Sequence, residues 1–213
     1  MIIIGIDLSG PSNHKDTALA VFEKKDKALE FVKWKNNLSD HDILKEILEQ
    51  SQKDEVVIGI DAPLGDRASD RELRKFIVSL GMKSGSIMPP TFNRMVYLTL
   101  RGIKLSREIG NLNTVHPISI VEVHPGAVIG SRLPKKYFEN VLIYKLEREV
   151  RSFIRIWLAE QGLKNIPIEI EEESHSIDAC AAALGAWHWK DHAYNPKWLF
   201  KADNLLHPFD YCC

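Results

Sequence analysis

Four acidic residues stand just after or inside apolar stretches: Asp7 in IIIGIDLSG, Asp61 in VVIGIDAPLG, Glu122 in ISIVEVHP and Asp178 in HSIDACAAALGAW. A carboxylate at the end of a buried strand has to be solvated, paired or bound to a cation, because isolation in apolar surroundings costs several kcal/mol. Any one of them could cap a loop or helix by itself. Four together point to a cation site. Clustered carboxylates repel one another, and one must protonate unless a cation neutralises them. A hard divalent ion with oxygen ligands, Mg2+ or Mn2+ rather than Zn2+, is the natural occupant. Two such ions about 4 Å apart would bridge a scissile phosphate, which is the chemistry of a metal-dependent nuclease.

Other residues could serve the same chemistry. Arg67, Asp70 and Arg74 fall at i, i+3 and i+7 on one side of a helix, where the Arg pair could clamp a phosphate or form a surface ladder. Lys83 and Arg94 flank the stretch from Gly81 to Asn93, as lid residues or as ordinary surface charge. His124 could shuttle a proton or contact phosphate, or simply order the turn before Pro125. His175, three residues before Asp178, could reach the same crevice. Arg148, Arg151 and Arg155, interrupted by Glu147 and Glu149, read as a solvated helix face. His188 and His192 have metal-binding spacing but no third ligand beyond Cys212 and Cys213, which disfavours a zinc site. Trp187, Trp189, Trp198 and Phe200 read as a C-terminal packing layer rather than a base-stacking platform.

The elements that must position these residues follow from periodicity. Residues 2–8 read as a buried strand, 17–22 as a second after a polar turn, and 28–35 as an alternating third, together an antiparallel meander. Ser39 and Asp40 cap a helix whose apolar face is Ile43, Leu44, Ile47 and Leu48. Residues 55–61 are a near-continuous β-branched run, expected of a strand covered on both sides. From 62 to 116 the pattern reads as a helical and loop insertion, with helices at 67–80 and 94–108 and no obvious strand. Residues 117–123 resume strand character, 141–161 carry one helical period, and Ser174 or Ser176 caps a last helix ending near Trp189. A right-handed crossover places the strands of Asp7 and Asp61 side by side and parallel. The small residues after Asp178 let their helix approach the sheet closely.

At 213 residues the chain is expected to form a single domain burying roughly 70% of its unfolded surface. With 28 basic against 29 acidic residues it lacks the field of proteins that hold nucleic acid by phosphate neutralisation alone, so any such contact is local. Three cysteines, two of them adjacent at the end, make a poor disulfide framework and suggest a reducing cytoplasm. The opening run is too short for a signal-peptide core, and Ala179 to Trp187 is half a membrane span, so a soluble protein without a membrane partner is expected. Nothing in the sequence sets the oligomeric state, and a homodimer is one option.

Several segments in order carry a resemblance: GIDLSG, IDAPLG followed by Arg67-x-x-Asp70-x-x-x-Arg74, the Pro89-Pro90 loop with Arg94, EVHP at 122–125, and IDACAAALGAW. Together they resemble a broadly distributed uncharacterised family described as predicted nucleases with a ribonuclease H-like fold. The resemblance implies an α/β protein with a central mixed sheet, its first three strands antiparallel and the rest parallel, flanked by helices and carrying the 62–116 insertion. It also implies Asp7, Asp61, Glu122 and Asp178 as metal-binding catalytic acids, with Arg67, Asp70 and Arg74 at their edge, Mg2+ or Mn2+ as cofactor, and DNA or RNA as partner. Leu8-Ser9-Gly10 leads to Pro11 where many such sequences carry Trp, and Ile177 precedes Asp178 where many open with paired acids. An actin-like or sugar-kinase phosphotransferase is the competing reading of an Asp before Ser9-Gly10, but neither a GxxxxGK nor a GxGxxG turn is present. A non-catalytic ligand-binding module on the same scaffold is the third.

Overall fold

Near-continuous apolar runs become the centre of a sheet because both of their faces can be covered. The computed structural model, which describes residues 1–65, 68–84, 87–93, 95–203 and 206–213, places two such runs, β1 (Ile2–Asp7) and β4 (Val56–Asp61), side by side. The sheet continues through β2 (Ala18–Lys25), β3 (Ala28–Asn36), β5 (Ile118–Val123) and the two-residue strands β6 (Leu163–Lys164), β7 (Leu199–Phe200) and β8 (Tyr211–Cys212). Its order is β6-β3-β2-β1-β4-β5-β8-β7. The pairs β1–β2, β2–β3 and β7–β8 are antiparallel; β1–β4, β4–β5, β5–β8 and β3–β6 are parallel. The fold is thus mixed α/β, as expected.

Strand alternation divides the core in two. Ile4, Ile58 and Ile60 face α1 (Asp40–Ser51) and α3 (Met95–Gly110), whereas Ile3, Val57 and Val121 face α6 (Arg148–Glu160) and α7 (Ser174–Lys190). On the α7 side β1 and β4 present glycine. A Cβ on Gly5 would overlap the Ala179 carbonyl oxygen, and one on Gly59 would lie 2.5 Å from that of Ala182. Glycine on the strands and alanine on the helix therefore permit an approach that fixes where Asp178 sits along the sheet.

The α1 helix starts at the expected Ser39 cap, which with Asp42 forms a capping box: the Asp42 amide donates to Ser39 Oγ at 3.3 Å, and the Ser39 amide to the Asp42 carboxylate at 3.0 Å. Buried Glu46 ties α1 to β3, lying 2.8 Å from Lys33 and 2.7 Å from Lys35 and accepting from Gln50 at 2.6 Å. Burial opposes its ionisation, but these donors outweigh burial and hold its pKa at about 2. Buried Arg101 joins α3 to the turn after β1 through Asp40, the Ser9 carbonyl and Thr17 Oγ1. Between 62 and 116 the described residues form α2 (Ala68–Ser79) and α3 and no strand.

Three expectations need correction. The single helix over 141–161 is two, α5 (Phe138–Ile143) and α6, because Tyr144 turns into the core while Leu146 is left 83% exposed. The arginine face is not solvated. Arg151 is buried and donates to the carbonyls of Glu171, Tyr144 and Glu172, and Arg155 pairs with the Glu171 carboxylate; Arg148 alone stays largely exposed, against Glu172. Neither serine caps α7: Glu173 occupies that position without a side-chain bond, and Ser176 donates to Asn36 Oδ1 at 3.1 Å. The aromatic layer does form, with Trp198 against Phe76 of α2, Phe200 and Tyr211. Among the described residues no helix is long and apolar enough to cross a membrane.

Candidate functional site

Asp7 and Asp61 are direct register partners at the ends of parallel neighbours, so their side chains leave the same face of the sheet. That face is covered by α7, whose close packing at Ala179 carries Asp178 to the two strand ends. One carboxylate oxygen from each of Asp7, Asp61 and Asp178 lies within 4.8 Å of the others. Among the described residues no other group of three acidic, histidine or cysteine side chains is so placed.

The three acids are not equivalent. Asp7 is paired with His175, whose Nδ1 lies 2.5 Å from Oδ2. Asp178 is fully buried, accepts from the Tyr144 hydroxyl and has Lys145 Nζ 2.9 Å from Oδ2, close but poorly aligned for a hydrogen bond. Asp61 is partly buried and has neither a hydrogen bond nor an ion pair to its carboxylate among the described residues.

Electrostatics follow from this arrangement. Burial pushes the Asp61 carboxyl well above its usual pKa, and the charges of Asp7 and Asp178 push it further. Burial raises Asp7 as well, opposed by the His175 hydrogen bond and reinforced by Asp178. The Asp178 charge holds Lys145 firmly protonated, and the hydrogen bond to Asp7 favours the His175 imidazolium. Tyr144, buried and facing Asp178, is kept as a neutral donor. Lys145 and His175 thus pair with Asp178 and Asp7, and neither pairs with Asp61.

Glu122 stands outside the trio. It pairs in register with Ile60, not Asp61, so alternation turns its side chain to the other face of the sheet. There Oε2 accepts the Leu64 amide at 2.8 Å and steadies the turn after β4. It still borders, from the strand end, the cavity of about 490 Å3 onto which Asp7 and Asp61 open. Asp70 of α2 is buried and lines the same cavity, as does Lys83. Arg74 donates from its guanidinium to the Ile87 carbonyl, which fastens the segment after α2. Arg67 and Arg94 lie outside the described residues.

His124 caps the short helix α4 (Pro125–Gly130), where its Nδ1 accepts the Ala127 amide at 3.1 Å. That bond places the proton of the neutral ring on Nε2, and the ring also borders the cavity. The wall facing the acids is apolar, formed by Met82, Ile87, Met88, Met95, Leu98 and Leu142.

Sequence reasoning missed Tyr144 and Lys145, because a continuous helix over 141–161 hid the break that delivers them. The available signal was Glu147 and Glu149, acids of the kind that gather where a helix begins.

The donor set suits a hard cation. It is all oxygen, one member lacks a partner among the described residues, and two oxygens sharing one Mg2+ at about 2.1 Å each stand at most about 4.2 Å apart, so small rotations would close the trio. Residues 5–197 match the family model described as "Protein of unknown function (DUF429)", and the chain belongs to that family. The matched span contains all three acids, Tyr144, Lys145 and His175. No curated protein matches the chain.

Proposed function

We propose that this protein is a divalent-cation-dependent nuclease that hydrolyses phosphodiester bonds at Asp7, Asp61 and Asp178, with Mg2+ or Mn2+ as cofactor and DNA or RNA as substrate. The observation that carries the reading is the convergence of the three carboxylates with Asp61 left uncompensated. The run β3-β2-β1-β4-β5, antiparallel and then parallel, supports reading the core as ribonuclease H-like.

When bound, a divalent cation supplies Lewis-acid stabilisation of the charge that develops on the phosphoryl oxygens. The chain's own groups do the rest. Asp7, Asp61 and Asp178 would hold the cation, and the Tyr144 hydroxyl fixes the orientation of Asp178. His175, favoured as imidazolium by Asp7, is a proton source for a leaving oxygen beside the trio. Lys145, with 54% of its side chain exposed, offsets the charge of Asp178 and lines the cavity. The methionine-rich wall offers an apolar face to a base.

The test is cleavage of a panel of DNA, RNA and hybrid substrates with Mg2+, with Mn2+ and with chelator. Metal-dependent cleavage that falls by about 10²–10³ or more in Asp61→Asn and Asp178→Asn is expected, the order seen for loss of a charge-stabilising group. The reading fails if no substrate is cut and Asp61→Asn leaves divalent-ion binding unchanged.

A further inference from the structure

A second cleft, of about 790 Å3, opens at the other end of α7, beside His188. Ten residues of helix separate Asp178 from His188, about 15 Å along the axis, so this cleft is remote from the carboxylates. Its charge is one-sided. Lys27, Arg132, Lys164 and Lys197 line it, and Glu160 is the one acid among the described lining residues.

None of the four cations forms an ion pair among the described residues. Lys164 Nζ rests on the Ala159 carbonyl at 2.8 Å. Arg132 donates from Nη1 to the Val128 carbonyl at 3.0 Å and from Nη2 to His188 Nδ1 at 3.2 Å, while its Nε is buried without a partner. Because His188 Nδ1 accepts, the proton of that ring lies on Nε2, which is also buried and unpartnered. Burial, then the charges of Arg132 and Lys197, push the His188 pKa down to about 4, so the ring stays neutral. It is held flat against Tyr194, with centroids 4.5 Å apart and planes 8° from parallel. A chain of net charge −1 has acids enough to pair such cations, yet here it does not. An unpartnered Nε–H on a half-buried guanidinium that no carboxylate pairs with among the described residues, with the unpartnered imidazole Nε2–H next to it, is the signature of a site completed by an anion.

We propose that this cleft binds a phosphate dianion, as inorganic phosphate or as the phosphoryl group of a small phosphomonoester, with Arg132 as its base and Lys27, Lys164 and Lys197 at its rim. Arg132 supplies the fixed, half-buried charge; the lysines supply long, mobile donors that close over the anion. A dianion matches a rim of several cations better than chloride or a monocarboxylate does. The site is independent of the nuclease reading.

Calorimetric titration of the full chain with inorganic phosphate, and separately with glycerol phosphate, at matched ionic strength tests this. Saturable binding at one site is expected, about tenfold weaker in Lys164→Gln/Lys197→Gln, the order of losing a charge-assisted hydrogen bond. It should be unchanged in Asp61→Asn. Tighter binding of the ester assigns the site to a phosphorylated metabolite, and tighter binding of phosphate assigns it to the free ion. Both rim lysines are surface residues whose replacement leaves the fold intact, so the double variant decides even if Arg132→Gln does not fold. Absence of saturable heat with both ligands, or equal affinity in the lysine double variant, overturns the proposal.

Discussion

Asp61 is the member of the trio with the most unrelieved charge: it faces Asp7 and Asp178, and nothing in the protein pairs with it among the described residues. Asn keeps its shape and removes the charge. Removing a carboxylate charge opposed by burial and by two like charges stabilises the fold, and for a partly exposed group about one pKa unit's worth, about 1–2 kcal/mol, is expected. For a chain of 213 residues that corresponds to a metal-free melting temperature higher by about 2–8 °C. The order then inverts with cation. Mg2+ at about 100 times its Kd adds about 2.7 kcal/mol to the wild type and much less to Asp61→Asn. The pH dependence has a definite sign. A carboxyl whose folded-state pKa is raised above the ordinary 3.8 favours the folded state fully below 3.8, and that benefit is lost as pH rises through the folded value. Wild-type stability without metal should therefore fall across that window, and Asp61→Asn should lack that part of the slope. Scanning calorimetry in chelator and across a Mg2+ titration measures all of this. A variant that melts below wild type in chelator, or shows the same Mg2+ shift, refutes the reasoning.

Three further outcomes are expected. Gly5→Ala forces a methyl into the Ala179 carbonyl and should cost about 3 kcal/mol or more by urea unfolding, whereas Gly10→Ala, with open space around it, should stay within about 0.5 kcal/mol. Glu46→Gln should destabilise by about 1–2 kcal/mol at neutral pH, below the full linkage value because Lys33 and Lys35 remain partly in water; since the folded pKa is depressed from 4.5 to about 2, the gap from wild type should narrow as pH falls through that interval. Lys145→Gln removes the cation nearest Asp178, so calorimetry should show a less stable metal-free protein that binds Mg2+ about tenfold more tightly, the competing ammonium being gone.

The strand and helix order as far as β5 was legible because its signals are local. Period-two alternation, the Ser39 cap and the β-branched run before Asp61 each fit within a dozen residues. The pairing of Asp7 with Asp61 was legible too, since a right-handed crossover leaves few alternatives. The face on which Glu122 lies was not legible, because proximity of strands is readable from order but register is not; one residue of offset sends a carboxylate to the opposite face. The strands β6, β7 and β8 are two residues each and have no period to detect. Lys145 and Arg151 share another cause. Both lie where apolar spacing suggested one helix, and the break that turns Tyr144 inward is stabilised by distant partners, Asp178 and the Glu171 carbonyl, which local sequence does not display. The cations that line the second cleft are likewise scattered from Lys27 to Lys197 and form a group only in the folded chain.

Crystals soaked in Mn2+ and measured at its absorption edge test the central claim most directly. The account predicts an anomalous peak among Asp7, Asp61 and Asp178, with carboxylate oxygens at about 2.1 Å, as for a hard octahedral ion, and its loss in Asp61→Asn. A trio that stays empty at saturating Mn2+, with Lys145 still seated on Asp178, would contradict it.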